Sequence, residues 1–156
     1  IMYIDRNNLV FDKYFFQKPY KHLQSQGCQI CRESKLEKNV RKFLTENNIN
    51  FIQQYSKKDG GIWLENKTLD FFLPDFKIGI ECQGEQHFKP VDFGNKGKEF
   101  AENQYKLNLK RDEKKYNLCK EHNIKIFYYT NIKNVNYFDE LNMDIKNLEK
   151  FFKKLK

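Results

Sequence analysis

Long apolar runs are missing from this chain. No stretch approaches the roughly 18 apolar residues of a membrane-spanning helix. No charged, apolar and small-residue leader marks secretion either. The expectation is a protein of the cell interior, in the cytoplasm, or in the nucleus if the source is eukaryotic, with no membrane partner. Cysteine is scarce, with 4 in 156 residues. They suggest no disulfide framework, which agrees with a reducing compartment. Cys28 and Cys31 form the sole Cys-x-x-Cys pair, and neither a second such pair nor a histidine pair accompanies them. A structural zinc needs four ligands, so this is half a site. His22 is the nearest further candidate, while Cys82 and Cys119 fall on core-facing patterns. A thioredoxin-like use of the pair lacks its βαβ setting. Internal repeats are absent too. Acids are the minority charge, at 21 against 29 Lys and Arg, for a formal net charge of +8. That balance points to a polyanionic partner.

What is present reads as one domain with a small appendage. Residues 1–33 are irregular, with short β-like runs at residues 9–11 and 14–16. Residues 34–156 form the main domain. A helix is expected from Ser34 to about Asn47, with Leu36, Val40, Phe43 and Leu44 on one face. A strand follows around residues 50–55, then a flexible loop at residues 57–61. Two further strands lead to a loop over residues 88–97, a long helix from about Lys98 to Glu121, and a buried strand at residues 125–129. The last segment, Ile145 to Leu155, reads as a lysine-rich amphipathic helix. Helix, three strands, helix, strand and helix together predict an α/β domain with a mixed sheet flanked by helices.

The most informative stretch runs from Leu69 to His87. Leu69, Phe71 and Leu73 alternate with Asp70 and Phe72, and Ile78, Ile80 and Cys82 alternate with Gly79, Glu81 and Gln83. Pro74-Asp75 opens a turn, because proline presets the first turn dihedral. A two-residue or a four-residue loop gives the same register, with Asp70 opposite Glu81. Directly opposed residues have Cβ atoms about 4.5–5.5 Å apart. Two carboxylates at that spacing repel unless one holds a proton or a cation intervenes. A divalent metal explains the pair economically, since Mg²⁺ takes one or two carboxylates and keeps water or phosphate as its other ligands.

Three further residues join this pair. Asp112 interrupts an apolar stripe of the long helix formed by Tyr105, Leu109, Tyr116 and Cys119. Buried acids pair with a base or hold a metal; Lys115 and Arg111 are the local partners on offer. His87 follows the second strand of the hairpin and is a candidate ligand, acid or base. Glu37 completes Ser34-Lys-Leu-Glu37, which fits a capping box. A role in the acid site is compatible with that cap.

The order Asp70…Glu81-x-Gln83 resembles the metal site of the PD-(D/E)XK nucleases, with glutamine where lysine usually stands. Gln83-Gly-Glu-Gln-His87, followed by a helix carrying Asp112, resembles more narrowly the very-short-patch-repair endonucleases and their homing-endonuclease relatives. That subgroup uses a helix glutamate, a strand aspartate, a histidine after the next strand and a helix aspartate. Glu37, Asp70, His87 and Asp112 stand here in that order, and the likeness covers roughly residues 28–129. Residues 16–31 resemble a zinc-binding segment without its upstream ligand pair.

The resemblance implies a restriction-endonuclease-like core and a metal-dependent endonuclease acting on DNA, by nicking or double-strand cutting. Mg²⁺ or Mn²⁺ would sit on Asp70 and Glu81. Gln83 would orient water or a phosphate oxygen, and His87 would transfer a proton. Asp112 and Glu37 would orient His87 or hold metal-bound water, while Zn²⁺ at Cys28 and Cys31 is a secondary expectation. The rival readings are a non-catalytic nucleic-acid-binding module on the same fold and a zinc-dependent adaptor.

Overall fold

The computed structural model describes residues 3–4, 10–11, 33–132, 142–143, 149 and 152–153. The chain divides into two compact units, Ile1–Lys35 and Leu36–Lys156. In the first, β1 (Tyr3–Ile4) pairs antiparallel with β2 (Val10–Phe11), and Tyr3 stands opposite Phe11. Cys28, Cys31 and His22 lie outside the described residues, as do residues 14–16.

Helix α1 (Lys35–Glu46) begins at the unit boundary, and its buried residues are Val40, Phe43 and Leu44. It stops where Asn48 turns left-handed, φ 54°, so that the Ile49 N–H reaches back to the Leu44 carbonyl at 2.9 Å. Asparagine tolerates that conformation at a helix end better than most residues. Next come β3 (Ile52–Tyr55), β4 (Leu69–Leu73), β5 (Ile78–Cys82), the long α2 (Lys98–Glu121), β6 (Lys125–Tyr129) and β7 (Asn142–Met143). The sheet order is β3-β4-β5-β6-β7. The first three strands are antiparallel, while β5 with β6 and β6 with β7 are parallel. A parallel step needs a crossover, and α2 supplies the one from β5 to β6. The expected α/β architecture with a mixed, helix-flanked sheet is therefore what the chain forms. The parallel strand β7 is an addition that the sequence pattern did not suggest.

Alternate residues of β6 divide the core. Phe127 and Tyr129 pack with Val40, Phe43 and Leu44 of α1 and with Phe71, Leu73, Ile78 and Ile80. Ile126 and Tyr128 pack with Cys119 of α2 and with Tyr55, Leu64 and Leu69. Each fully buried Leu, Ile or Phe stabilises the fold by about 1.5–3 kcal/mol. Cys82 and Cys119 join these two clusters as free cysteines, as their pattern suggested.

Two local expectations change. The segment after β3 is ordered into a 3-10 turn, Lys57–Asp59, closed by a reciprocal capping box between Ser56 and Asp59. Leu69 leaves the side occupied by Phe71 and Leu73 and packs with the α2 cluster. Gly79 makes room for it: a Cβ there would lie 3.0 Å from Leu69 Cδ1. Most of the C-terminal segment from Ile145 to Leu155 lies outside the described residues, although 149, 152 and 153 are helical. Phe152 is buried, with its ring 6.0 Å from Phe43 and 5.6 Å from Phe76. No helix among the described residues is long and apolar enough to cross a membrane.

Candidate active site

The hairpin β4–β5 closes through a four-residue connection. Pro74–Phe76 make a 3-10 turn and Lys77 adopts the left-handed conformation, φ 52°. The register pairs Leu73 with Ile78, Phe72 with Gly79 and Phe71 with Ile80. The pairing ends there, and Asp70 and Glu81, the next residues along the two strands, are neighbours through side-chain contacts rather than ladder partners. The two carboxyls avoid a head-on clash by accepting different donors. Asp70 Oδ2 accepts the Cys82 N–H at 2.7 Å. Glu81 Oε1 accepts the Asp70 N–H at 3.4 Å, and Glu81 Oε2 accepts Lys115 Nζ at 2.6 Å.

Lys115, expected as a neighbour for Asp112, feels the Asp112 charge and also reaches across to Glu81, a contact the sequence did not suggest, while Asp112 meets His87. Asp112 Oδ2 lies 2.7 Å from His87 Nδ1, with the two side chains 8% and 19% exposed. His87 does not sit at the end of β5, which stops at Cys82; it ends a separate 3-10 turn, Glu85–His87. That turn packs against α2, which is why a helix acid and a loop histidine meet. The contact orients the ring through Nδ1.

Glu37 reaches the same neighbourhood from α1 through an intermediary. Gln54 Nε2 donates to Glu37 Oε1 at 2.9 Å and to Asp70 Oδ1 at 3.4 Å. Gln54 had drawn no attention in the sequence, because nothing about a glutamine in a short strand signals its backbone. Here φ is +54°. Left-handed geometry at a non-glycine residue costs on the order of 1–3 kcal/mol.

Gln83 is 1% exposed; its N–H donates to the Tyr129 carbonyl at 2.8 Å. Its side-chain Oε1 is buried with no hydrogen-bond partner among the described residues. An unmet buried acceptor costs about 1–3 kcal/mol.

The electrostatics follow from burial. Desolvation pushes Asp70 upward, opposed by the Cys82 N–H and Lys115 and reinforced by the Glu37 charge. Glu81 is raised from 4.5 to about 8, mainly by burial, with Lys115 lowering it and Asp70 raising it. Burial pulls Lys115 down most strongly, but the charge and hydrogen bond of Glu81, with the charges of Asp70 and Asp112, together raise it. Both members of the pair therefore move up, and together they hold a proton to unusually high pH.

A pH dependence follows from that shift. Between about 4.5 and 8 the folded chain binds more protons at Glu81 than the unfolded chain does. Stability from this group is full below its ordinary value and is lost as pH rises through its folded value. In thermal denaturation from about pH 5 to about pH 8.5, Glu81→Gln should lose less stability than wild type. Parallel wild-type and mutant profiles would remove Glu81 as the titrating group.

Four carboxyls, Glu37, Asp70, Glu81 and Asp112, thus share a neighbourhood with Lys115 and His87, an excess of acid that suits an added cation. Among the described residues, no three His, Cys, Asp or Glu side chains are grouped to enclose a metal by themselves. Mg²⁺ needs no such cage, because one or two carboxylates with water satisfy it. Asp70 Oδ1, touched only by a 3.4 Å amide contact, fits that role. Glu81 fits it only if Lys115 lets go.

No protein-family model matches the chain. Among curated proteins it is 37% identical over 70 residues to "Uncharacterized protein 307L" of Invertebrate iridescent virus 6, covering 44% of this chain and 32% of that protein. The chain therefore spans well under half the length of that relative. Among solved structures it is similar to the catalytic domain of the homing endonuclease I-Bth0305I, at a TM-score of 0.42 and 15% identity, over 79% of this chain and 91% of that domain.

Proposed function

We propose that this chain is a Mg²⁺- or Mn²⁺-dependent DNA endonuclease with a restriction-endonuclease-like core. The observation that carries the reading is the His87–Asp112 pair, 2.7 Å apart and largely buried, in the same site as the opposed acids Asp70 and Glu81. A proton-transfer residue held by an acid, next to carboxylates short of positive charge, suits hydrolysis of a phosphodiester.

A divalent cation held by Asp70, with a nearby backbone carbonyl or with Glu81 once Lys115 has released it, would supply Lewis-acid activation of water and offset charge on the phosphate. The remaining work belongs to side chains. His87 either takes the proton of the attacking water or gives one to the departing sugar oxygen as the P–O bond breaks. Asp112 holds the imidazole in place. The Gln83 carbonyl oxygen orients the water. Lys115 balances Glu81, and the +8 formal charge favours a polyanionic substrate.

Supercoiled plasmid incubated with Mg²⁺ or Mn²⁺ tests the reading. Wild type should convert it to nicked or linear DNA, and Asp70→Ala should not. Wild type should also melt at a higher temperature with millimolar cation, because a ligand of the folded state alone stabilises it. Asp70→Asn should lose that response. Plasmid left intact by a wild-type protein that still binds DNA would replace this reading with a non-catalytic binding module.

A further inference from the structure

We infer that Gln54 is a positioning residue of the acid site, one whose left-handed backbone and forked amide bring Glu37 to Asp70. The inference rests on the endonuclease reading above and adds a residue to it. Two independent features carry it.

The first is the backbone. Strand β3 pairs Ile52 with Phe72, Gln53 with Phe71 and Tyr55 with Leu69, and only Gln54 in this run is skipped. At that skipped position φ is +54°, a value uncommon for any residue but glycine, asparagine or aspartate. A strand interior offers no reason for it. Such conformations persist where the surroundings over-determine them, and they collect at functional sites.

The second is the side chain. The half-buried Gln54 amide spans two acids from two other elements, Glu37 of α1 at 2.9 Å and Asp70 of β4 at 3.4 Å. A side-chain NH₂ has two donors, one for each carboxylate. Two carboxylates drawn to one point repel each other, so a neutral donor between them holds an arrangement they would not adopt alone. A hydrated divalent cation calls for the same arrangement, with one carboxylate in contact and a second accepting from its waters.

Three substitutions separate this role from a purely architectural kink. Gln54→Gly accepts the left-handed backbone and has no side chain. Gln54→Asn also accepts it, but falls one methylene short of both acids. Each should fold, with a melting temperature equal to or above that of wild type. Each should bind Mn²⁺ roughly 10–100-fold more weakly, the usual cost of losing a group that orients a ligand. The kcat for plasmid nicking should fall in parallel while KM for DNA stays put. Gln54→Asn at wild-type Mn²⁺ affinity and rate would overturn the inference. If wild type itself binds no Mn²⁺ and cuts no DNA, the endonuclease reading fails, and the fork is judged without metal. Melting temperatures of Gln54→Ala, Glu37→Ala and the double variant then decide. A double-variant shift smaller than the sum of the single shifts upholds the fork, and an additive one overturns it.

Discussion

Replacing His87 with alanine should slow DNA cleavage by about 10²–10⁴-fold, the usual contribution of a general acid or base, while DNA binding stays near that of wild type. The expectation rests on where the ring sits. His87 is anchored by Asp112 at 2.7 Å on a short turn, outside the sheet hydrogen bonding, so removing it should disturb chemistry more than folding. Asp112→Asn is the graded partner of this experiment. An asparagine oxygen still accepts from Nδ1–H, but it supplies no charge to stabilise an imidazolium. Cutting should therefore slow less than in His87→Ala. Cleavage by His87→Ala at the wild-type rate would assign proton transfer to another group and leave Asp70 and Glu81 as the core of the site.

Lys115→Met should give the largest loss of stability of any change in the site. Glu81 is 6% exposed and Lys115 15%, so the pair sits in surroundings that screen charge poorly. Removing one member of a buried ion pair typically costs about 3–5 kcal/mol, because the other is left without compensation. Glu81 has a way out: already raised to about 8, it can take a proton, and the loss should be smaller in mild acid than in mild base. Denaturant unfolding on either side of neutrality measures both quantities. Lys115→Met combined with Glu81→Met should recover much of the stability, since an apolar pair of similar volume often replaces a buried ion pair without penalty. A loss below about 1 kcal/mol at mildly basic pH would mean that the contact behaves as a surface pair.

The parts of this molecule that depend on periodicity could be read in advance. Alternation on both arms of the hairpin, with Pro74-Asp75 between them, pointed to the nearness of Asp70 and Glu81, which the Asp70 and Cys82 N–H contacts bear out without a ladder pair. The long helix and the strand at residues 125–129 appeared with the expected ends. What stayed hidden depends on chain segments that meet only after folding. Lys115 is one lysine among several on α2, and its attachment to Glu81 spans 34 positions. The backbone of Gln54 leaves no mark in composition, because glutamine is not a residue that favours positive φ. The side switch of Leu69 needed the empty space over Gly79, which only the folded sheet creates. Asp112 was legible as a misfit in an apolar stripe, and it was the family resemblance, not the local pattern, that offered His87, 25 residues away on another element, as the group it orients.

The parallel pairing of β5 with β6 sets Glu81 beside Tyr128, and this has a consequence for when the site can exist. Contacts of high sequence separation form late, because the entropy of closing the intervening loop must be met first. Glu37, Gln54, Asp70, His87 and the α2 pair Asp112 and Lys115 come from five separate pieces of chain, and the sheet that aligns them is incomplete until residues 125–129 have docked. A chain emerging from the ribosome would carry every reactive group well before it could use any of them. Competence should then arrive in one cooperative step with folding, and early fragments of this basic chain could associate with nucleic acid without damaging it.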